Sequence, residues 1–152
     1  MVLLMRLVTG SKLYGLNHST SDTDITEIYD HCKPSQTVTA TVDIKRWPLS
    51  MLMRVADKGG HNGCELMMVD HAWCDVDLLA AFRASYICNP YLCQVRFAKA
   101  AETYAGQDTA KGRLRAAMLA DWSRQIWETG RFNPSWVDSE AYKLIVSRHD
   151  DV

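Results

Sequence analysis

The first 45 residues alternate between short apolar runs and turn-forming residues, a pattern typical of β-strands. Residues 3–9 form an apolar run that ends at Gly10, and residues 23–29 and 37–45 are rich in β-branched side chains. The segment HCKPSQ between the last two runs has the composition of a turn. The pattern therefore predicts three strands in the N-terminal part of the chain.

After Trp47 the apolar positions recur every three or four residues, which predicts helices for the rest of the chain. A first helix is expected from Pro48 to Gly59, and the spacing of Asn62 and Glu65 predicts a capping box that opens a second helix through Met68. Further helices are predicted after Asp75, after Asn89, between Asp108 and Gly130, and from about Glu140 to Arg148.

Strands followed by helices predict an α+β fold, in which a small mixed β-sheet at the N-terminus is covered on one face by a helical C-terminal half. The 152 residues, 47% of them hydrophobic, are enough for one domain with a real core. We expect a single domain over residues 1–152, with the sheet and the site in residues 1–70 and a helical part in residues 71–152.

A formal net charge of −1 argues against a general nucleic-acid binder, which usually has a strong basic excess. Between Arg83 and Arg131, however, eight basic residues stand against four acidic ones. Solvated helix faces are the favoured interpretation of this excess, and a basic surface that binds RNA or a protein partner is left open.

The cysteine pattern and the hydropathy bear on the compartment. The five cysteines are odd in number and contain no Cys-x-x-Cys pair, which argues against a disulfide framework or a zinc knuckle. No apolar run reaches about 18 residues, so neither a signal peptide nor a membrane span is expected. A reducing cytoplasm is the simplest expectation.

Two aspartates carry the candidate chemistry. Side chains alternate along a strand, so Asp22 and Asp24 are expected on one face with Cα atoms about 6.5 to 7 Å apart. Carboxylates placed in this way can hold divalent cations for phosphoryl or nucleotidyl transfer, and oxygen ligands suit Mg²⁺ or Mn²⁺. The competing interpretation is a turn capped by its own polar side chains. A calcium loop is excluded, because Glu27 and Lys33 stand where such a loop needs Gly and Glu.

Residues on both sides of this pair favour the metal site. Gly10 and Ser11 follow a strand and can start a helical turn whose free N–H groups bind phosphate, and Lys12 is close enough to reach the same group. Asp43 lies in the middle of the next strand pattern, where an ionised carboxylate is costly to bury unless it is paired or metal-bound. It is therefore the expected third ligand, and a candidate to deprotonate the attacking group.

Lys45 is expected on the same face as Asp43, where it could contact phosphate or neutralise the acids. Tyr14 and Leu16 are interpreted as packing residues, and Glu65 as a helix cap. The five tryptophans fit core or edge packing, although one of them could stack on a base.

The order Gly-Ser, Tyr-Gly-Leu, Ser-Asp-x-Asp and a later strand aspartate resembles the minimal nucleotidyltransferases of the DNA polymerase β superfamily. It is most similar to a bacterial and phage group whose hallmark is close to GSxxYGLxxxxSDxD. The likeness is strong over residues 8–25 and extends to about residue 136, although Arg115 and Met118 stand where more polar positions are expected.

The resemblance implies that Gly10 and Ser11 bind a nucleoside triphosphate and that Asp22, Asp24 and Asp43 bind two Mg²⁺ ions. The expected activity is transfer of a nucleoside monophosphate from an NTP to a hydroxyl of RNA, protein or a small molecule. The alternative is a non-catalytic module of the same fold that binds a protein or RNA through the basic helical stretch.

Overall fold

A computed structural model describes residues 1–17 and 22–146 of the chain. Within these residues, five strands form one mixed sheet in the order β3-β4-β2-β1-β5. Strands β1 and β2 are antiparallel, and β2 and β4 are parallel. The two edge strands are also antiparallel to their neighbours: β3 pairs with β4, and β5 pairs with β1. The strands are β1 (Leu3–Thr9), β2 (Thr23–Tyr29), β3 (Ser35–Val38), β4 (Val42–Pro48) and β5 (Cys74–Asp77).

The helices of the described residues mostly follow the sheet in the chain, which confirms the α+β class. They are α1 (Ser11–Tyr14), α2 (Leu49–Asp57), α3 (His61–Met68), α4 (Ala80–Ala84), α5 (Pro90–Ala105), α6 (Ala110–Thr129) and α7 (Glu140–Val146). Two single 3₁₀ turns, His71–Trp73 and Trp136–Asp138, connect them. None of the helices in this part of the chain is long and apolar enough to span a membrane.

The two faces of the sheet differ in polarity. On one face Met5, Leu7 and Ile28 are buried and join a hydrophobic core that also contains residues of α2, α3, α5 and α6. On the other face the Glu27 carboxylate forms ion pairs with Nε of Arg6 and Nε of Arg46, at 3.4 and 3.0 Å. The helices therefore cover one face of the sheet, as the alternation of apolar and polar residues predicts.

The apolar face changes character along strands β2 and β4. Ile28 and Trp47 lie in register toward the ends of these two strands and are buried in the core. Near the beginnings of the same strands, the register pair is Asp24 and Asp43. Because side chains two or four positions apart share a face, the carboxylates lie at the edge of the core.

Two predicted elements are wrong in detail. Residues 37–45 do not form one strand, because Thr39 and Val42 bond to each other in a turn that separates β3 from β4. No helix follows Asp75 directly, since residues 74–77 pair with β1 as strand β5 and the next helix begins at Ala80. Strand pairing at a free sheet edge outweighs the local helical spacing there.

The predicted capping box is also wrong. Helix α3 begins at His61 after Gly60, no side chain caps it, and Asn62 and Glu65 lie inside the helix. The predicted start of α5 is confirmed, since Asn89 accepts hydrogen bonds from the N–H groups of Tyr91 and Leu92, and so is the predicted end of α6 at Gly130. The last helix is found from Glu140, and its expected end at Arg148 lies outside the described residues.

Candidate active site

Two carboxylates lie side by side on neighbouring parallel strands. Asp24 of β2 and Asp43 of β4 are direct register partners, so their side chains share the face that borders the helices. Both residues are partly buried and both line one cavity of about 250 Å³. The Gln36 side-chain amide donates to both carboxylate oxygens of Asp43, at 2.9 and 2.8 Å. The sheet thus holds the two acids together and β3 orients one of them.

Gly10 brings the backbone into contact with Asp24 of this pair. It follows β1, whose last residue Thr9 is the register partner of Asp24. Its φ of 66° and ψ of −147° lie in a region that is nearly restricted to glycine. A Cβ atom at this position would lie 2.2 Å from Oδ2 of Asp24. Any other residue would therefore strain the backbone and displace the carboxylate.

The remaining predicted site residues lie around this contact. Ser11 is buried at the start of α1, and Lys12 donates from Nζ to Oγ1 of Thr23 at 2.5 Å. Asp22 is exposed just before β2, and Ser21 of the sequence motif lies outside the described residues. Gly10 lines the cavity together with Asp24 and Asp43.

The electrostatics of Asp24 reflect its crowded position. Burial raises the pKa of Asp24 above its ordinary value, and the negative charges of Asp43 and Asp22 raise it further. Arg115 and Lys111 on α6 act in the opposite direction. Like charges held this close repel each other, and a divalent cation with oxygen ligands relieves that repulsion.

Two acids, Asp24 and Asp43, are therefore the residues placed to bind a metal ion here. Asp24 and Asp43 supply adjacent carboxylate oxygens, the donor type that Mg²⁺ prefers. Over residues 1–17 and 22–146, no group of three or more His, Cys, Asp or Glu side chains is clustered closely enough to hold an ion. Asp22 acts on Asp24 through its charge but does not complete such a cluster in this conformation.

The rest of the cavity is formed by β4 and the helices. Lys45 and Trp47 continue the face of Asp43 along β4, and the Lys45 ammonium lies 5.4 Å from the centre of the Trp47 ring. From α5 and α6 come Tyr104 and Arg115, whose guanidinium lies 5.2 Å from the Tyr104 ring centre. Trp47 is the tryptophan that lines the cavity, and Trp122 and Trp136 are buried in the core.

Glu65 forms the floor of the cavity with Tyr14. The Tyr14 hydroxyl donates to Oε1 of Glu65 at 2.5 Å, and both side chains are buried. Burial raises the pKa of Glu65 to about 8, although the Tyr14 hydrogen bond and the charges of Lys45 and Arg115 act against this shift. The same burial and the neighbouring Glu65 raise the pKa of Tyr14 well above its ordinary value. At neutral pH the floor of the cavity is therefore largely uncharged.

Sequence reasoning missed three of the cavity's polar residues. The spacing of Glu65 from Asn62 predicts a helix cap, whereas its burial follows only from how α3 packs on α1. Gln36 carries no sequence signal, since its role depends on the β3–β4 register. Arg115 could have been found from its place on the α6 helix, four positions before the buried Leu119.

Most other basic residues of the 83–131 stretch are engaged elsewhere. Arg83 is buried and forms an ion pair with Asp77, and Arg124 pairs with Asp121 and Glu128 at 2.7 and 2.8 Å. Arg131 donates to the carbonyl oxygen of Tyr86 at 2.7 Å. These contacts reduce the basic surface that this stretch offers to a partner.

Neither a protein-family model nor a curated protein sequence matches this chain.

Proposed function

We propose that this protein is a Mg²⁺-dependent nucleotidyltransferase that moves a nucleoside monophosphate from an NTP to a hydroxyl acceptor and releases pyrophosphate. The observation that carries the proposal is the register pair of Asp24 and Asp43, which lines a cavity together with Gly10, whose backbone contacts Asp24. The order of these residues in the chain resembles the minimal nucleotidyltransferases, which supports the same assignment.

Each residue then has a distinct role. Asp24 and Asp43 would hold the metal, with Asp22 joining them when the cation is bound. Asp43 also takes the proton of the attacking hydroxyl, and the Gln36 amide keeps its carboxylate oriented for that task. Bound Mg²⁺ would neutralise the charge that develops on the transferred phosphoryl group.

Gly10 and Ser11 would bind the phosphates next to the acids. Gly10 fits this role because it lines the same cavity as the two acids and, having no Cβ, allows Asp24 to lie against its backbone. Lys12 would add a positive charge at the rim, since its ammonium is anchored on Thr23, the residue before Asp24. These three residues and the acids belong to the same end of the sheet.

The test is transfer of label from α-labelled NTPs. The protein is incubated with each of the four NTPs, Mg²⁺ and a cell extract, and the RNA, protein and small-molecule fractions are counted. We expect label in one of these fractions, and we expect Asp24→Asn and Asp43→Asn each to reduce the rate by at least about 100-fold, the scale of a lost electrostatic catalytic group.

The matched control is Asp57→Asn, which removes an exposed carboxylate at the end of α2. It should transfer label at the wild-type rate. Thermal unfolding of all variants separates lost catalysis from lost folding. Wild-type rates in both Asp24→Asn and Asp43→Asn would refute the proposed function.

A further inference from the structure

The cavity beside the acids also has a cationic side. Lys45 shares the face of Asp43 on β4 and lies about 6.5 to 7 Å farther along the strand. Arg115 reaches the same cavity from α6. Both positive charges act on Glu65 and on His61, and Arg115 also acts on Asp24.

Neither cation has an ion-pair partner among the residues that the structure describes. Arg115 contacts the ring of Tyr104, and its Nε is buried without any hydrogen-bond partner in that part of the chain. A buried N–H of a guanidinium without an acceptor is unfavourable. Arg113, two residues earlier on α6, differs in this respect, because it is exposed and pairs with Asp108 at 3.3 Å.

Two acids, Asp24 and Asp43, share the cavity with these cations, and two other titratable groups nearby, Glu65 and His61, add no charge at neutral pH. Glu65 is largely protonated, since burial raises its pKa to about 8. Burial and the charges of Lys45 and Arg115 lower the pKa of His61 to about 4, so His61 adds no charge of either sign. Asp43 is the nearest acid on β4, and its two oxygens accept hydrogen bonds from Gln36.

We infer that Lys45 and Arg115 form an anion-binding subsite that takes a phosphate group of the substrate. The inference rests on the proposed function for the identity of the substrate, and it assigns to Lys45 the phosphate contact in preference to neutralisation of the acids. A phosphate here would accept charge-assisted hydrogen bonds from the Lys45 ammonium and the Arg115 guanidinium and would lie next to a cation held by Asp24 and Asp43. The group belongs to the NTP or to a phosphorylated acceptor.

The first measurement uses inorganic tripolyphosphate and titration calorimetry in the absence of divalent cations. Wild-type protein should bind it, and Arg115→Gln and Lys45→Gln should each raise Kd by about tenfold or more, because a charged hydrogen-bond partner is lost. Arg115→Lys keeps the charge and should retain part of the affinity. Arg113→Gln is the matched control on the same helix and should leave Kd within about twofold, as expected for an exposed ion pair.

A second pair of titrations identifies the source of the phosphate. If the subsite holds the triphosphate, Arg115→Gln weakens NTP binding and leaves the binding of a 5′-phosphorylated oligonucleotide unchanged. If it holds an acceptor phosphate, the pattern is reversed. Either pattern supports the subsite. Wild-type affinity for tripolyphosphate in folded Arg115→Gln and Lys45→Gln, or no binding by the wild type, would overturn it.

Asp24→Asn separates the subsite from the proposed function. It should abolish transfer and yet tighten metal-free binding of tripolyphosphate, since it removes a carboxylate that repels the anion. If tripolyphosphate binding depends on Arg115 but the protein transfers no label, the anion-binding subsite is supported and the proposed enzymatic function is refuted. If transfer depends on Asp24 but tripolyphosphate binding is unchanged in Arg115→Gln, the proposed function is supported and the subsite is refuted.

Discussion

At the scale of single residues, Gly10 both adopts a backbone conformation that favours glycine and makes room for the Asp24 carboxylate. Its dihedral angles exclude side chains, and the space that a Cβ would need is filled by the Asp24 carboxylate. The sequence predicted the importance of Gly10 from its place between a strand and a serine. It could not predict the contact with Asp24, which depends on the β1–β2 register.

Gly10→Ala should impair the site more than the fold. The backbone strain should lower the free energy of unfolding by about 1 to 3 kcal/mol, and the new methyl group should displace Asp24. We expect transfer activity to fall by at least about tenfold, in line with the sensitivity of catalysis to small displacements. Chemical denaturation and the labelled-NTP assay measure the two effects.

Gly130→Ala is the control for strain alone. Gly130 also has a positive φ, 82°, but nothing lies within 4 Å of the position its Cβ would take. The Gly130→Ala variant should therefore have a lower free energy of unfolding and an unchanged rate of transfer. Equal loss of activity in both variants would show that the contact between Gly10 and Asp24 has no catalytic importance.

At the scale of elements, the contact between α1 and α3 links the core to the cavity. The Tyr14 hydroxyl bonds to Glu65, and the Tyr14 ring packs edge-on against Trp122 of α6 at 5.4 Å. The packing role of Tyr14 could be predicted from its apolar surroundings in the sequence. The burial of Glu65 could not, because a carboxyl inside a helix is normally exposed and only the tertiary structure provides its partner.

This contact makes stability depend on pH in a defined direction. Because burial raises the pKa of folded Glu65 from 4.5 to about 8, Glu65 stabilises the protein fully below pH 4.5. That contribution is lost as the pH rises toward 8. Glu65→Gln keeps an acceptor for Tyr14 and cannot ionise, so it should be more stable than wild type above pH 8.

The measurement is the difference in free energy of unfolding between wild type and Glu65→Gln from pH 4 to 9. His61 contributes a slope of the opposite sign below pH 6.5, and it cancels because both proteins retain it. Glu140→Gln, which changes a side chain that is 84% exposed, should follow the wild type. A pH-independent difference between wild type and Glu65→Gln would contradict a buried, protonated Glu65.

At the scale of the whole molecule, the hydrophobic core positions the site and supplies part of the cavity wall, through residues such as Tyr14 and Trp47. The α+β class and the first two strands could be predicted from the sequence, because the apolar alternation and the glycine boundaries are local signals. The division of residues 37–45 and the edge strand β5 could not, since both depend on which strands become neighbours. The pairing of Asp24 with Asp43 follows from the parallel register of β2 and β4.

The central claim is that Asp24 and Asp43 together bind the metal of the transfer reaction. The most direct test replaces Mg²⁺ with Mn²⁺ and measures Mn²⁺ affinity by electron paramagnetic resonance. The measurement is made in the presence of each of the four NTPs in turn. Asp57→Asn should bind Mn²⁺ as tightly as wild type, and Asp24→Asn and Asp43→Asn should each bind it at least about tenfold more weakly, as expected when a metal site loses one of its ligands. Unchanged Mn²⁺ affinity in both site variants would contradict the account.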